Sequence, residues 1–212
     1  MKTMNILTTF LDILFPPSTQ QKQVRALSVE YFSQLHPPED LPNEYIESLF
    51  KWSHPDIQVL ISELKYMKNK KTLRIAGELL AERILFFLSE KQQYGSFGNP
   101  LLTPIPMHPS KKRARGWNQT ELLGKKVVRH IQGLEYAPVL KKIQNSLRQT
   151  EVRTRKERME NIKGTFGVRR DVKGRNIILL DDVTTTGATL KEARSVLLDA
   201  GAQEVYAFTL AH

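Results

Sequence analysis

Apolar residues recur at helical spacing over long stretches of this chain. Between Pro55 and about Glu90, Ile57, Leu60, Ile61 and Leu64 are followed by Ile75, Leu79, Leu80, Ile84 and Phe87, with Lys68 to Lys71 as a turn between two predicted helices. The same spacing returns over Gln119 to Ile131, and again from Leu190 through Ala193 and Leu197 to Ala200, where Gly201 closes the helix. Apolar runs too short for helices predict strands at Pro100 to Met107, Tyr136 to Ile143, Thr165 to Val168, Asn176 to Leu180 and Glu204 to Leu210. Helices alternating with nearly continuous apolar strands indicate an α/β fold, a mostly parallel central sheet with helices on both faces. Ahead of it, Met4 to Phe15 and Gln20 to Leu35 read as helices parted by Pro16 and Pro17, and the Pro-rich stretch His36 to Pro42 breaks the chain again. Residues 1–47 are therefore expected to form a helical N-terminal extension and residues 48–212 the main domain.

Composition changes this picture in three ways. Lys and Arg number 32 against 22 Asp and Glu, a net charge of +10 that favours polyanionic ligands: a phosphorylated small molecule, nucleic acid or an anionic surface. The absence of cysteine excludes disulfides and thiolate zinc sites in this sequence and fits a reducing cytoplasmic setting. The apolar start is interrupted by Asp12 and followed by no small-residue cleavage pattern, and no run approaches the ~20 apolar residues of a spanning helix, so no transmembrane segment is expected.

Chemistry concentrates after the strand Ile177 to Leu180. Its β-branched and apolar residues suit burial on both faces, and it ends in Asp181 and Asp182, at the strand edge where open α/β sheets collect ligands. Ionised carboxylates only accept hydrogen bonds, which suits them to the neighbouring hydroxyls of a ribose or to hydrated magnesium. The next residues, Val183, Thr184, Thr185, Thr186, Gly187, Ala188 and Thr189, offer hydroxyls and a tight turn before a helix whose free N–H groups can seat a phosphate. Taken singly, Asp182 or one threonine is no more than a helix cap. The ordered set answers different parts of one phosphorylated sugar, and a receiver domain, which also carries acids at strand ends, has no use for the threonines.

LLDDVTTTGAT, Leu179 to Thr189, closely resembles the signature of type I phosphoribosyltransferases. The block PIPMHPSKKRARGWNQTELLGK from Pro104 to Lys125 is similar to that of ComF-family proteins, as are LKYMKNKKTLRIAGELLAE from Leu64 to Glu82 and RTRKERMENIKGTF from Arg153 to Phe166. The resemblance implies a type I phosphoribosyltransferase fold that binds phosphoribosyl diphosphate with magnesium. In it Asp181 and Asp182 hold the ribose hydroxyls, and Val183 to Thr189 hold the 5-phosphate. It places His108, Ser110, Lys111, Arg113 and Arg115 in a loop facing the diphosphate, where cations would stabilise the leaving group. It makes Arg148, Arg153, Arg155 and Arg158, with Lys156, a flexible basic loop that closes over the ligand and excludes water. It also extends to LDILFPP, Leu11 to Pro17, after which many ComF proteins carry a cysteine-rich zinc module; here Ser18 and Thr19 follow, so no zinc is expected. For each basic residue taken alone, a solvated surface position is an equal reading.

Three functions stay open. The first is a transferase with an unidentified acceptor and general base, which the ComF resemblance associates with DNA uptake in natural competence. The second is an accessory protein that keeps the fold, works with the competence machinery and binds single-stranded DNA along its basic residues. The third is a regulator that couples donor binding to nucleic-acid binding.

Overall fold

A computed structural model describes residues 18–67, 69–93, 97–143 and 164–212. Five parallel strands form the central sheet: β1 (Ile46–Phe50), β2 (Leu101–Pro104), β3 (Glu135–Tyr136), β6 (Asn176–Val183) and β7 (Glu204–Ala211), in the order β1-β7-β6-β2-β3. A separate antiparallel pair, β4 (Leu140–Lys142) and β5 (Phe166–Val168), lies off the sheet. The predicted strand over Tyr136 to Ile143 is thus two short strands in two sheets, because the chain leaves β3 at Ala137, whose N–H still bonds to Leu102.

The strand β6 is apolar on both sides, as a central parallel strand requires. Its alternate residues serve different cores: Ile178 and Leu180 pack with Ile75, Leu80, Leu123 and Phe208, whereas Ile177 and Leu179 pack with Leu140, Phe166, Ala193 and Leu197. The first core is covered by α3 (Pro55–Ser62), a single π-turn over Glu63–Met67, α4 (Lys70–Gln93) and α6 (Gln119–Val127); the second is covered by α7 (Ala188–Asp199) and the β4-β5 pair. Asn69 starts α4, its side chain accepting from the N–H groups of Lys71 and Thr72, so the helix already begins at Lys70, inside the turn predicted over Lys68 to Lys71.

The extension contains α1 (Thr19–Ala26) and α2 (Val29–Ser33), parted at Leu27, where the backbone turns extended; one helix had been expected over Gln20 to Leu35. Val24 and Phe32 are fully buried in the first core, so these helices are part of it. The boundary expected between residues 47 and 48 falls inside β1, which pairs along β7 from Ile46 to Phe50. The predicted helix over Met4 to Phe15 lies outside the described residues. Among the described residues, no helix is long and apolar enough to cross a membrane.

Candidate functional site

The strand β6 runs three residues further than its apolar stretch, through Asp181, Asp182 and Val183, because the ladder with β7 continues: Asp181 is opposite Thr209 and Val183 opposite Ala211. One last bond, from the Thr184 N–H to the Ala211 carbonyl at 2.9 Å, ends the pairing. The chain then turns through Thr185, Thr186 and Gly187, and α7 begins at Ala188, two residues before the predicted start. Gly187 has φ +72°, where a side chain is strained, and a Cβ there would lie 3.1 to 3.2 Å from atoms of Pro42, Asn43 and Ile46. The N–H groups of Thr185, Thr186 and Gly187 have no acceptor among the described residues, and the α7 cap residue supplies no side-chain bond. An oriented set of free donors at a helix start is a seat for an anion. Together with Lys65, residues Asp181 to Thr189 line a cavity of about 280 Å³.

The two carboxylates are held differently. Asp182 is buried, and its Oδ2 accepts from Gln119 Nε2 at 2.9 Å and pairs with Lys65 Nζ at 3.1 Å, while Oδ1 accepts from the Val183 N–H at 2.8 Å. Asp181 is half-buried, its open surface belonging to the cavity although protein surrounds the rest; its Oδ1 accepts from the Asp182 N–H at 2.9 Å, and its Oδ2 receives no donor among the described residues. Burial, and then the charge of Asp182, raise the Asp181 carboxyl well above the usual carboxylate range, and the Asp182 N–H and Lys65 offset only part of this.

Lys65 was not among the residues the sequence pointed to, and the π-turn presents it. Glu63 opens that turn fully buried, accepting from Arg25 Nε at 2.9 Å, Arg25 Nη2 at 3.2 Å and Asn69 Nδ2 at 2.9 Å. A helix of the extension therefore fastens the turn whose third residue reaches Asp182. Isolated π-turns often mark functional positions.

The basic block from His108 to Arg115 was expected as a loop and is instead the seven-residue helix α5 (Pro109–Arg115). Pro109 at its first position and Gly116 beyond its end, with φ +87°, supply the start and stop. His108 caps it, Nδ1 accepting from the Ser110 N–H at 3.2 Å and sitting 2.7 Å from the Ser110 hydroxyl. None of His108, Ser110, Lys111, Arg113 and Arg115 lines the cavity of the acid pair. Arg113 lines a neighbouring one. Arg115 donates to Gln119 Oε1 at 2.8 Å and lies over the Tyr66 ring at 5.3 Å, so Gln119 joins it to Asp182. The residues after Gly116 fix this bridge: the Trp117 indole donates to the Leu64 carbonyl, the Asn118 side chain caps α6 and donates to the Ile105 carbonyl, and the Thr120 hydroxyl donates to the same carbonyl. The basic segment with Arg148, Arg153, Arg155 and Arg158 lies outside the described residues.

A parallel sheet carrying an acid pair and a threonine-rich turn at the end of a central strand is the type I phosphoribosyltransferase fold, and residues 120–212 match the family model described as a phosphoribosyl transferase domain. Within that class the chain is similar to competence and DNA utilization proteins. It is 32% identical over 140 residues to the "Competence protein ComFC" of Streptococcus pneumoniae, covering 63% of this chain and 57% of that one. It is 28% identical over 113 residues to the "Competence protein F" of Haemophilus influenzae, covering 52% and 49%, and 28% identical over 158 residues to the "DNA utilization protein YhgH" of Escherichia coli K12, covering 74% and 67%. The chain thus spans between about half and two thirds of the length of these relatives.

Proposed function

We propose that this chain binds phosphoribosyl diphosphate with magnesium, transfers its phosphoribosyl group to an acceptor, and serves DNA uptake or use. The observation that carries the reading is the cavity of about 280 Å³ in which Asp181, Asp182, the turn from Val183 to Thr189 and Lys65 converge. The free N–H groups before α7 and the threonine hydroxyls would take the 5-phosphate. Asp181 retains an oxygen with no donor among the described residues, which fits a pair of ribose hydroxyls or a hydrated magnesium ion, since magnesium in such sites is held by one or two carboxylates and substrate phosphates. Bound with the donor, magnesium supplies neutralisation of charge on the departing diphosphate. Lys65, beside Asp182, adds a fixed positive charge on the same side.

In this reaction the bond from the anomeric carbon to diphosphate breaks with its electron pair on the diphosphate. A bond from the acceptor forms at that carbon, and the acceptor's proton passes to solvent. Of the basic block, Arg115 reaches Asp182 through Gln119, and Lys111 on α5 and Asp181 both act on the charge of Lys142. The names of the relatives in Streptococcus, Haemophilus and Escherichia support a part in competence or DNA utilization.

The test is calorimetric titration with phosphoribosyl diphosphate, with and without magnesium, together with an assay of diphosphate release. The expected result is magnesium-dependent binding and release, both abolished by Asp181→Asn with Asp182→Asn; tight binding by that double variant would refute the reading. The net charge of +10 fits this reading and equally a second one, a non-catalytic single-stranded DNA-binding accessory protein. It requires salt-dependent binding of single strands that survives the double variant and weakens on charge reversal at Arg153 and Arg155.

A further inference from the structure

Beside the acid pair, at the carboxyl end of β2, lies a second cavity of about 550 Å³. Pro104, at that end, is in register with Leu180, the residue before Asp181, so the two cavities open at neighbouring strand ends. Met107, Leu140 and several prolines give the second cavity apolar walls, and Lys112, Arg113, Lys142 and Arg169 line it from α5 and the β4-β5 pair. One cation is neutralised within the lining: Lys112 Nζ lies 2.8 Å from a carboxylate oxygen of Glu121. Arg113, Lys142 and Arg169 have no carboxylate within ion-pair distance among the described residues. Lys142 is half-buried, its ammonium 4.9 Å from the centre of the Phe166 ring, and burial with the nearby Lys111 lowers its pKa. Lys142, half-buried beside this apolar hollow without a counter-ion among the described residues, bears a desolvation cost that an organic anion offsets, and the exposed Arg113 and Arg169 line the same hollow.

We propose that this second cavity binds a small organic anion, an apolar or aromatic body bearing a carboxylate or phosphate, gripped by Arg113, Lys142 and Arg169, and that this anion is the acceptor substrate. That it is the acceptor rests on the transferase reading; that an organic anion binds there does not. The apolar walls take the body and exclude water, while the cations select the charge. An acceptor seated there lies on the Lys142 side of Asp181, next to the donor cavity.

Ligand-observed magnetic resonance titrations of the whole chain with benzoate, phenyl phosphate and neutral benzamide test this. Both anions should bind saturably below about 10 mM and benzamide about tenfold more weakly, the scale of one charge-assisted contact on a small ligand. Lys142→Met and Arg169→Gln, which keep much of the side-chain volume, should each weaken the anions about tenfold and leave benzamide unchanged. Equal binding of benzamide, no saturable anion binding, or anion binding untouched in both variants overturns the proposal. Displacement of phenyl phosphate by inorganic diphosphate at one common site also overturns it, since the cavity would then be the seat of the leaving group. Phosphoribosyl diphosphate is titrated into the same samples. Failure there, with benzoate still bound, strikes the donor reading and leaves the anion site standing.

Discussion

Arg25 on α1 and the buried Glu63 of the π-turn form an ion pair at 2.9 Å, and breaking it should destabilise the whole chain. Glu63 is fully buried and receives three hydrogen bonds, two from Arg25 and one from Asn69. In Arg25→Met the apolar part of the side chain remains, yet a buried carboxylate is left with Asn69 as its one donor among the described residues. Removing one partner from a buried pair costs about 3 to 5 kcal/mol, a large share of the ~5 to 15 kcal/mol by which domains are stable. For a chain of this length that lowers Tm by roughly 6 to 20 °C. Urea unfolding followed by circular dichroism gives the value directly. The double variant Arg25→Met with Glu63→Leu should recover most of the loss, because an apolar pair in the same space has no charge to solvate. A cost below about 1 kcal/mol for the single variant, the range of exposed pairs, would refute the reasoning and reduce the contact to surface decoration. The single variant should also weaken donor binding more than Lys71→Ala, which removes a neighbouring tie to the Arg25 carbonyl without freeing Glu63.

Other outcomes follow from the same geometry. Gly187→Ala should destabilise by about 1 to 2 kcal/mol from the left-handed backbone alone, and further by pushing on Pro42, Asn43 and Ile46, while donor titration shows loss of the phosphate seat. Because folding raises the Asp181 carboxyl, its contribution is favourable only below the unfolded value near about 3.9, and is lost as pH rises through the higher folded value. Calorimetry should therefore find Asp181→Asn more stable than the parent at pH 7 and by a smaller margin at pH 4; a lower Tm at pH 7 contradicts this. Gln119→Leu should lower donor affinity and destabilise by about 1 to 3 kcal/mol, since it removes the link from Arg115 to Asp182 and takes a donor from a buried carboxylate.

The strand, acid pair, turn and helix from Ile177 to Ala200 were legible because all their determinants lie within one contiguous stretch: apolar burial, then polar residues at the strand end, then a glycine and helical spacing. Lys65, Gln119 and Lys142 were not, because topology alone brings α6, the π-turn and β4 to the end of β6. Lys65 and Gln119 stood inside blocks whose family resemblance was visible, yet nothing local distinguishes a lysine that reaches Asp182 from one in solvent. The helix α5 buries none of its residues, so hydrophobic spacing had nothing to report. Its proline and glycine were the remaining signals. The strand β1 was missed because Glu47 and Ser48 interrupt its apolar residues; Ser48 is accommodated by a hydrogen bond at 2.8 Å to the Thr209 hydroxyl on β7.

The strand's period of two explains why adjacent aspartates carry different burdens. Successive side chains point to opposite faces, so Asp182 follows Ile178 and Leu180 toward the core under α6 and the π-turn, and there meets Gln119 and Lys65. Asp181 follows Ile177 and Leu179 toward the side of β4 and β5, and there its charge reaches Lys142. One carboxylate is therefore built into the protein, tying the basic helix α5 through Arg115 and Gln119 to the extension through Lys65, Glu63 and Arg25. The other keeps an oxygen without a donor among the described residues and a proton affinity raised by burial. A ligand cation or a pair of hydroxyls that arrives at Asp181 relieves a cost the folded chain already bears, whereas at Asp182 it would have to compete with contacts already made. Binding energy at this strand end should thus come mainly from Asp181, with Asp182 setting the geometry of what surrounds it.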